Sequence, residues 1–331
     1  MDTARPYENI TTIHSLAFIG IAAVAVILHD AGLLDTIERQ LILLAVLLPF
    51  AGIPHGSLDY SIARDMLEPR LNRLWSITFL AAYLMLMLAV LLAWRANPTA
   101  SLAAFLGITA FHFGTGDTLS TGKIPPVFRM AEMVGRGWVV LTMPALFYAD
   151  DVGLLFSYLI PSSGALWLTN LLGMMAPFAA LAVLGSMGWY GYCFIVGRRK
   201  TDLVRAGELV SILVLFYLLP ALLAFTIYFT FLHSIRHLLY VAENTPPESP
   251  ARAFGKTYIR SIPVTVVTIL LAAGAYFLMA GTGLEIDRMT QVIFIGIASV
   301  TYPHVAVIVM AQRNNVLGKK HDTTLTLTLP I

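Results

Sequence analysis

Two histidines four residues apart, His233 and His237, end a long apolar run in the sequence Phe-Leu-His-Ser-Ile-Arg-His. Residues at this spacing lie on one face of an α-helix, so both imidazoles can bind one metal ion. Ionisable groups inside a membrane segment are costly and rare, and function is their usual explanation. Two further histidines have similarly apolar neighbours, His55 in Pro-His-Gly and His112 in Phe-His-Phe-Gly. We predict that these four side chains converge.

The positions of the histidines along their apolar segments support this convergence. A helix rises about 1.5 Å per residue and the hydrocarbon core is about 30 Å thick, so the distance from a segment's start estimates depth. Four histidines fall in the middle portion of the membrane by this estimate: His55, His112, His233 and His304. His14 and His29 lie near the ends of the first segment and are expected to face water or headgroups. His321 belongs to the polar tail.

For any single interior histidine, the alternative is a ring that hydrogen-bonds a neighbouring helix. An isolated imidazole in an apolar core must find a partner, and one divalent ion satisfies several rings at once. Several such rings therefore favour a metal site. An all-imidazole site suits iron, zinc, copper or nickel, and the sequence does not separate these metals by affinity.

Carboxylates follow two of the histidines closely, Asp59 after His55 and Asp117 after His112. Each can accept the second ring N–H of a ligand histidine and so set its tautomer. The alternative for both is a helix cap at the membrane interface. For Arg236, which lies within the His233 motif, either a pair with Glu208 inside the bundle or an outward extension to the headgroups is possible.

The composition defines the elements that must position these residues. Of 331 residues, 58% are hydrophobic and 12% are charged, against roughly 25% charged in soluble domains. The apolar runs are long and continuous, as in transmembrane helices, and lack the alternation of a membrane β-barrel. We predict an all-α integral membrane protein, a polytopic bundle of about 8–10 transmembrane helices that crosses the cell (inner) membrane many times.

The organisation along the chain is predicted to be simple. Residues 1–313 form a single transmembrane helical domain with the metal site in the bundle, and residues 314–331 form a polar C-terminal tail. Pro49 and Pro54 are expected to kink the second segment, which suits a helix that shapes a cavity. The net charge of +2 is too small to indicate a nucleic-acid partner. The single cysteine, Cys193, is expected to be a buried core residue.

At these motifs the sequence resembles the Brp and Blh family of bacterial and archaeal β-carotene 15,15′-dioxygenases, membrane enzymes that make retinal for rhodopsins. Four motifs carry the resemblance, in this order: Pro54-His55-Gly56 with Asp59, Phe111-His112-Phe113-Gly114, His233-Ser234-x-Arg236-His237, and Tyr302-Pro303-His304. They extend from the second segment to the last, so the resemblance covers nearly the whole transmembrane part.

The resemblance implies an Fe(II) centre held by histidines, O2 as co-substrate, and central cleavage of β-carotene into two molecules of all-trans-retinal. It implies that the metal ligands and catalytic residues are His55, His112, His233 and His237. His304 matches a family position and is expected to be either a fifth ligand or a group that supports a ligand. A rhodopsin is the expected recipient of the retinal.

A C40 hydrocarbon lives in membrane lipid and has no polar handle, so we expect its site to be an apolar tunnel that opens sideways to the bilayer. Phe111, Phe113 and Tyr302 flank the motif histidines and are candidates to line it, with helix packing as the alternative for each.

Two other classes of membrane protein are alternatives to this enzyme. Membrane di-iron desaturases and hydroxylases need repeated His-x-x-His-His clusters, whereas this chain has one close pair. A membrane metal or proton transporter would relay ions through midplane histidines. Such a transporter more often carries acidic groups along a path, and here the carboxylates lie mainly at segment ends.

Overall fold

The computed structural model describes residues 4–118, 124–197, 200–243, 249–281 and 283–317, with side chains from residue 9 onward. Within these ranges the chain is almost entirely helical and contains no β-strand. Most of the predicted C-terminal tail lies outside the described residues. Its first residues form a turn after the last helix, and Leu317 packs in the interior.

The described residues form fourteen α-helices, two π-helical segments and one short 3-10 helix, Asn72–Leu74. The α-helices are α1 (Ala4–Asp30), α2 (Ile37–Leu47), α3 (Ile53–Gly56), α4 (Asp59–Leu71), α5 (Trp75–Ala96), α6 (Pro98–Asp117), α7 (Pro126–Phe147), α8 (Ala149–Ser157), α9 (Ser162–Gly197), α10 (Lys200–Leu218), α11 (Ala221–Ile227), α12 (Ile235–Glu243), α13 (Pro250–Leu278) and α14 (Glu285–Arg313). The first π-helical segment, Leu48–Gly52, joins α2 to α3, and the second, Tyr228–Ser234, joins α11 to α12.

Six helical stretches in the described residues are long and apolar enough to cross a membrane, and α7 with α8, bent by 105°, adds a seventh if the pair is one span. The predicted class, an all-α polytopic membrane protein, is confirmed. The count is below the predicted eight to ten for two reasons. Residues Ile37–Ala96 count once as a 60-residue stretch, although the sequence predicted two segments there. The helix α10 carries four charged residues, and α6 carries His112 among glycines and threonines.

The interior contains two apolar clusters, and the histidine motifs lie where these clusters meet. The larger cluster includes Leu48, Leu232 and Ala298, and the smaller includes Leu58, Leu238 and Val307. Along three separate parts of the chain, a motif histidine therefore separates a residue of the larger cluster from a residue of the smaller one. Apolar packing before and after each of these histidines along the chain thus fixes its position.

The close approach of α6 and α7 positions the His112 motif. A Cβ on Gly137 would overlap the carbonyl of Ala110 and would lie 3.2 Å from the backbone nitrogen of Gly114. A Cβ on Gly114 would overlap the carbonyl of Met133. Small residues allow backbones to approach to this distance inside a membrane bundle. The two glycines therefore set how far α6 lies from α7.

Candidate metal centre

Five histidines converge in the middle of the bundle. They come from four separate parts of the chain and are His55 in α3, His112 in α6, His233 in the second π-helical segment, His237 in α12 and His304 in α14. All five are buried. Their ring centroids lie between 4.8 and 6.3 Å apart in the seven pairs that make contact. The structure thus brings together the four predicted ligands and His304.

The arrangement of the ring nitrogens fits one metal ion. One nitrogen from each of His55, His112 and His304 lies within 4.8 Å of the other two. Nε2 of His233 lies 3.2 Å from Nε2 of His112, and two nitrogens that bind one ion at about 2.1 Å are separated by about this distance.

Three buried ring nitrogens of these five histidines lack a hydrogen-bond partner in the described residues: Nε2 of His304 and both nitrogens of His237. A buried polar atom without a partner is costly in an apolar interior. A cation at the point where the rings meet would supply a partner for Nε2 of His304 and for one nitrogen of His237. The donor set, five imidazoles, suits iron, zinc, copper or nickel.

The outward nitrogens of three rings are held by the protein. Nδ1 of His304 donates to Asp59 at 2.8 Å, Nδ1 of His233 donates to Asp117 at 3.1 Å, and Nδ1 of His55 donates to a backbone carbonyl three residues earlier. A ring that donates from Nδ1 presents the lone pair of Nε2 to the centre. Each carboxylate therefore orients a histidine from a distant part of the chain, and not the histidine that precedes it in sequence.

Two tyrosines fix these carboxylates in turn. Tyr83 donates to Oδ2 of Asp59 at 2.9 Å, and Tyr228 donates to Oδ2 of Asp117. Sequence reasoning missed both tyrosines. The available signal was a phenol inside an apolar segment, because a buried phenol usually finds a hydrogen-bond partner.

Both π-helical segments adjoin the centre. The first ends directly before the short helix that carries His55, and the second contains His233. Pro49, at the start of the first segment, has no N–H for the α-helical ladder. In the second, Ser234 donates to the carbonyl of Phe229 at 2.7 Å, which satisfies a backbone group within the altered ladder. Short π-helical segments often mark functional sites.

A buried charge chain lies beside the centre, formed by Glu132, Arg136, Glu208 and Arg236. Arg236 donates to Glu208 through both terminal nitrogens and to the backbone carbonyl of Asp117 at 3.1 Å. Arg236 is 3% exposed. Of the two alternatives for this residue, the structure therefore shows the pair with Glu208 and not the outward extension.

The buried charge chain continues to α7 and α9. Arg136, which is fully buried, donates to Glu208 at 2.6 Å and to Glu132 at 2.8 Å. Tyr190 donates to the other oxygen of Glu132 at 2.7 Å. All four carboxylate oxygens of the chain thus accept hydrogen bonds, and its two positive charges balance its two negative charges.

The three aromatic residues proposed to line a tunnel have different surroundings. The ring centroid of Phe113 lies 4.5 Å from that of His233. Tyr302 is partly buried against the larger apolar cluster. Phe111 is 45% exposed on the outer surface of the bundle. Their contact with a substrate stays a prediction.

The expectation that His14 faces water or headgroups is wrong. His14 is buried, and its Nε2 lies 2.8 Å from the carbonyl of Phe231. The apolar run begins near residue 10, but the helix begins at Ala4, so His14 lies well inside α1. His29 is partly exposed at the end of this helix, and His321 lies outside the described residues.

The fold and the site define the class, a polytopic helical membrane protein with a buried polyhistidine cluster that is compatible with a metal ion. Comparison with known proteins gives the family. Residues 44–311 match the family model described as β-carotene 15,15′-dioxygenase, and the chain belongs to this family. The matched residues include all five converging histidines and exclude His14.

Two curated relatives agree with this assignment. The β-carotene 15,15′-dioxygenase of an uncultured marine bacterium, 66A03, is 29% identical over 265 residues, which cover 79% of this chain and 90% of the relative. The probable β-carotene 15,15′-dioxygenase Blh of Halobacterium salinarum is 24% identical over 293 residues, with 79% of this chain and 81% of the relative covered. No solved structure matches this chain. The predicted family and the predicted enzyme class, a carotenoid-cleaving dioxygenase, are confirmed.

Proposed function

We propose that the five-histidine centre holds Fe(II) and that O2 reacts there with β-carotene, so that the 15,15′ double bond is cleaved into two molecules of all-trans-retinal. One observation carries the metal assignment: five buried imidazoles surround a common point, and three of their nitrogens have no partner in the described residues. The names of the family and of the relatives support the substrate and the bond.

In this proposal His55, His112, His233 and His237 bind the metal, and His304 is a fifth ligand. His304 has the properties of a ligand, because its Nδ1 donates to Asp59 and its buried Nε2 has no protein partner. When bound, iron supplies the redox chemistry that activates O2, which no side chain of this centre provides.

The protein itself contributes orientation and exclusion of water. Asp59 and Asp117 hold the rings of His304 and His233 in the tautomer that binds a metal. The ring centroid of Phe229 lies 5.6 Å from that of His55 and 5.8 Å from that of His233. Together with Phe113, this ring covers one side of the centre with apolar surface and keeps water from it.

The substrate and products are proposed to travel through membrane lipid. β-Carotene has no polar group, so it is positioned by apolar contacts and reaches the bundle from the bilayer. The retinal leaves by the same phase and is then available to a rhodopsin in the cell (inner) membrane. The side chains that contact the two end rings of β-carotene limit how far it can slide. They therefore place its central double bond at the metal.

The test uses purified protein in detergent, stripped of metal and reloaded with Fe(II). Incubation with β-carotene under air is expected to yield two retinal molecules per carotene, whereas incubation under nitrogen yields none. A sample reloaded with Zn(II), which has no redox chemistry, is the matched control and is expected to be inactive. Cleavage by the zinc sample would contradict the iron assignment. Metal flux into liposomes without any cleavage would favour the transporter.

A further inference from the structure

The helix α1 contacts the part of the chain that presents His233, and nothing in the proposed chemistry accounts for this contact. His14 of α1 lies 2.8 Å from the carbonyl of Phe231. A carbonyl oxygen can only accept, so Nε2 of His14 carries the proton and donates. A buried polar side chain from one helix is therefore used to satisfy a backbone oxygen of another.

The carbonyl of Phe231 belongs to the second π-helical segment, Tyr228–Ser234. A π-helical segment shifts the ladder from i−4 to i−5, so some backbone groups at its ends lose their regular partners. A second carbonyl of the segment also has a side-chain donor, because Ser234 bonds the carbonyl of Phe229. Side-chain donors thus complete the ladder at two places, one of them supplied from α1.

The helix α1 contacts the chain both before and after His233, a proposed metal ligand. Phe231 lies two residues before His233. The neighbour of His14, Ser15, lies 3.5 Å from a terminal nitrogen of Arg236, three residues after His233. Arg236 in turn donates to the backbone of Asp117, whose side chain accepts from His233. The helix α1 therefore holds the segment before and after the histidine.

We propose that His14 is a positioning residue for His233. Its hydrogen bond to Phe231 fixes the register of the π-helical segment and so directs the His233 ring at the metal. The residues matched by the family model begin at 44, so this support comes from a helix outside them. The inference rests on the proposed iron centre.

The experiment compares His14→Leu with His14→Gln in the full-length protein. Gln carries an amide nitrogen that can donate to the Phe231 carbonyl, whereas Leu fills similar space without a donor. Loss of a group that orients a ligand typically weakens metal affinity 10- to 100-fold, and we expect His14→Leu to weaken Fe(II) affinity about tenfold. His14→Gln is expected to restore most of this affinity.

Two further measurements distinguish positioning from packing. The EPR spectrum of the ferrous nitrosyl adduct reports ligand geometry, and we expect it to change in His14→Leu and to return in His14→Gln. Hydrogen–deuterium exchange of residues 228–237 in the metal-free protein should be faster in His14→Leu. His29→Leu, on the same helix, is the matched control and is expected to behave as wild type in all three measurements.

The outcomes distinguish a positioning role of His14 from a packing role. Wild-type affinity, spectrum and exchange in His14→Leu would overturn the proposal. If His14→Leu does not fold, a folded His14→Gln with the wild-type spectrum supports the proposal, and a folded His14→Gln with an altered spectrum overturns it. Failure of both variants to fold would make His14 a packing residue. If wild-type protein itself binds no iron, the proposed function fails first, independently of His14.

Discussion

The histidine centre and the buried charge chain beside it are both polar, both buried and both assembled from distant helices, yet they are satisfied in opposite ways. In the buried charge chain every carboxylate oxygen accepts a hydrogen bond and the charges of two arginines and two glutamates cancel. In the histidine centre, Nε2 of His304 and both ring nitrogens of His237 have no protein partner among the described residues. The protein alone thus balances the charges of the buried charge chain, although one nitrogen of each arginine, Nη2 of Arg136 and Nε of Arg236, has no partner among the described residues. The histidine centre offers its free ring nitrogens to a cation that the protein does not supply.

The largest effect is expected from removing His237, whose two nitrogens have no partner in the described residues. His237→Ala deletes a proposed ligand without breaking a hydrogen bond to the protein. Iron content and retinal formation should fall to background, while the melting temperature of the metal-free protein stays near wild type. Metal analysis, product chromatography and a thermal melt of the stripped protein check this. Full iron loading in the variant would remove His237 from the site.

The opposite pattern is expected from Glu208, which lies between Arg136 and Arg236. Glu208→Leu leaves the buried Arg236 without a carboxylate partner and leaves Arg136 with Glu132 alone, and breaking a buried pair in this way costs about 3–5 kcal/mol. The metal-free variant should unfold at a lower denaturant concentration than the metal-free wild type. The iron-loaded variant should show the same loss relative to the iron-loaded wild type. A variant with wild-type stability and a selective loss of iron would show that the buried charge chain belongs to the metal centre.

A smaller effect is expected at Asp59, which orients His304. Asp59→Asn keeps an oxygen that accepts from the ring but removes the charge, so Fe(II) affinity should fall about tenfold, at the low end of the range for such groups. Tyr83→Phe, which removes one hydrogen bond to Asp59, is the milder companion variant. Competition with a calibrated chelator measures both affinities. Unchanged affinity in Asp59→Asn would make Asp59 a helix cap.

The smallest effect is expected outside the interior, at the exposed pair of Arg39 with Asp35, whose side chains are 54% and 53% exposed. Such pairs typically contribute less than about 1 kcal/mol. Arg39→Ala should therefore leave iron affinity, turnover and stability close to wild type. A large loss of iron affinity, turnover or stability in Arg39→Ala would show that this surface ion pair is essential.

Much of the site could be predicted because spacing and burial carry the information. His-x-x-x-His on one helix and single histidines in apolar runs point to convergence without any knowledge of the packing. The fold class follows equally directly from long apolar runs. The exact partners of the carboxylates could not be predicted, since Asp117 and His233 are separated by 116 residues and meet only through tertiary structure.

Three further features were outside the reach of sequence reasoning for physical reasons. A π-helical segment depends on one extra residue in a turn, which period counting does not resolve. Arg136 lies near the start of an apolar run, but it is buried because two glutamates from different helices pair with it. The surroundings of His14 depend on where α1 begins, and the helix extends before its apolar run.

The five histidines are spread from the third α-helix of the chain to the fourteenth. Synthesis and membrane insertion proceed from the N-terminus, so a nascent chain that ends before α14 lacks one of the rings that we propose to bind iron. Complete coordination must await the insertion of the last helix. A chain that stops short would present four of the five imidazoles, and the full donor set would form only at the end of biogenesis.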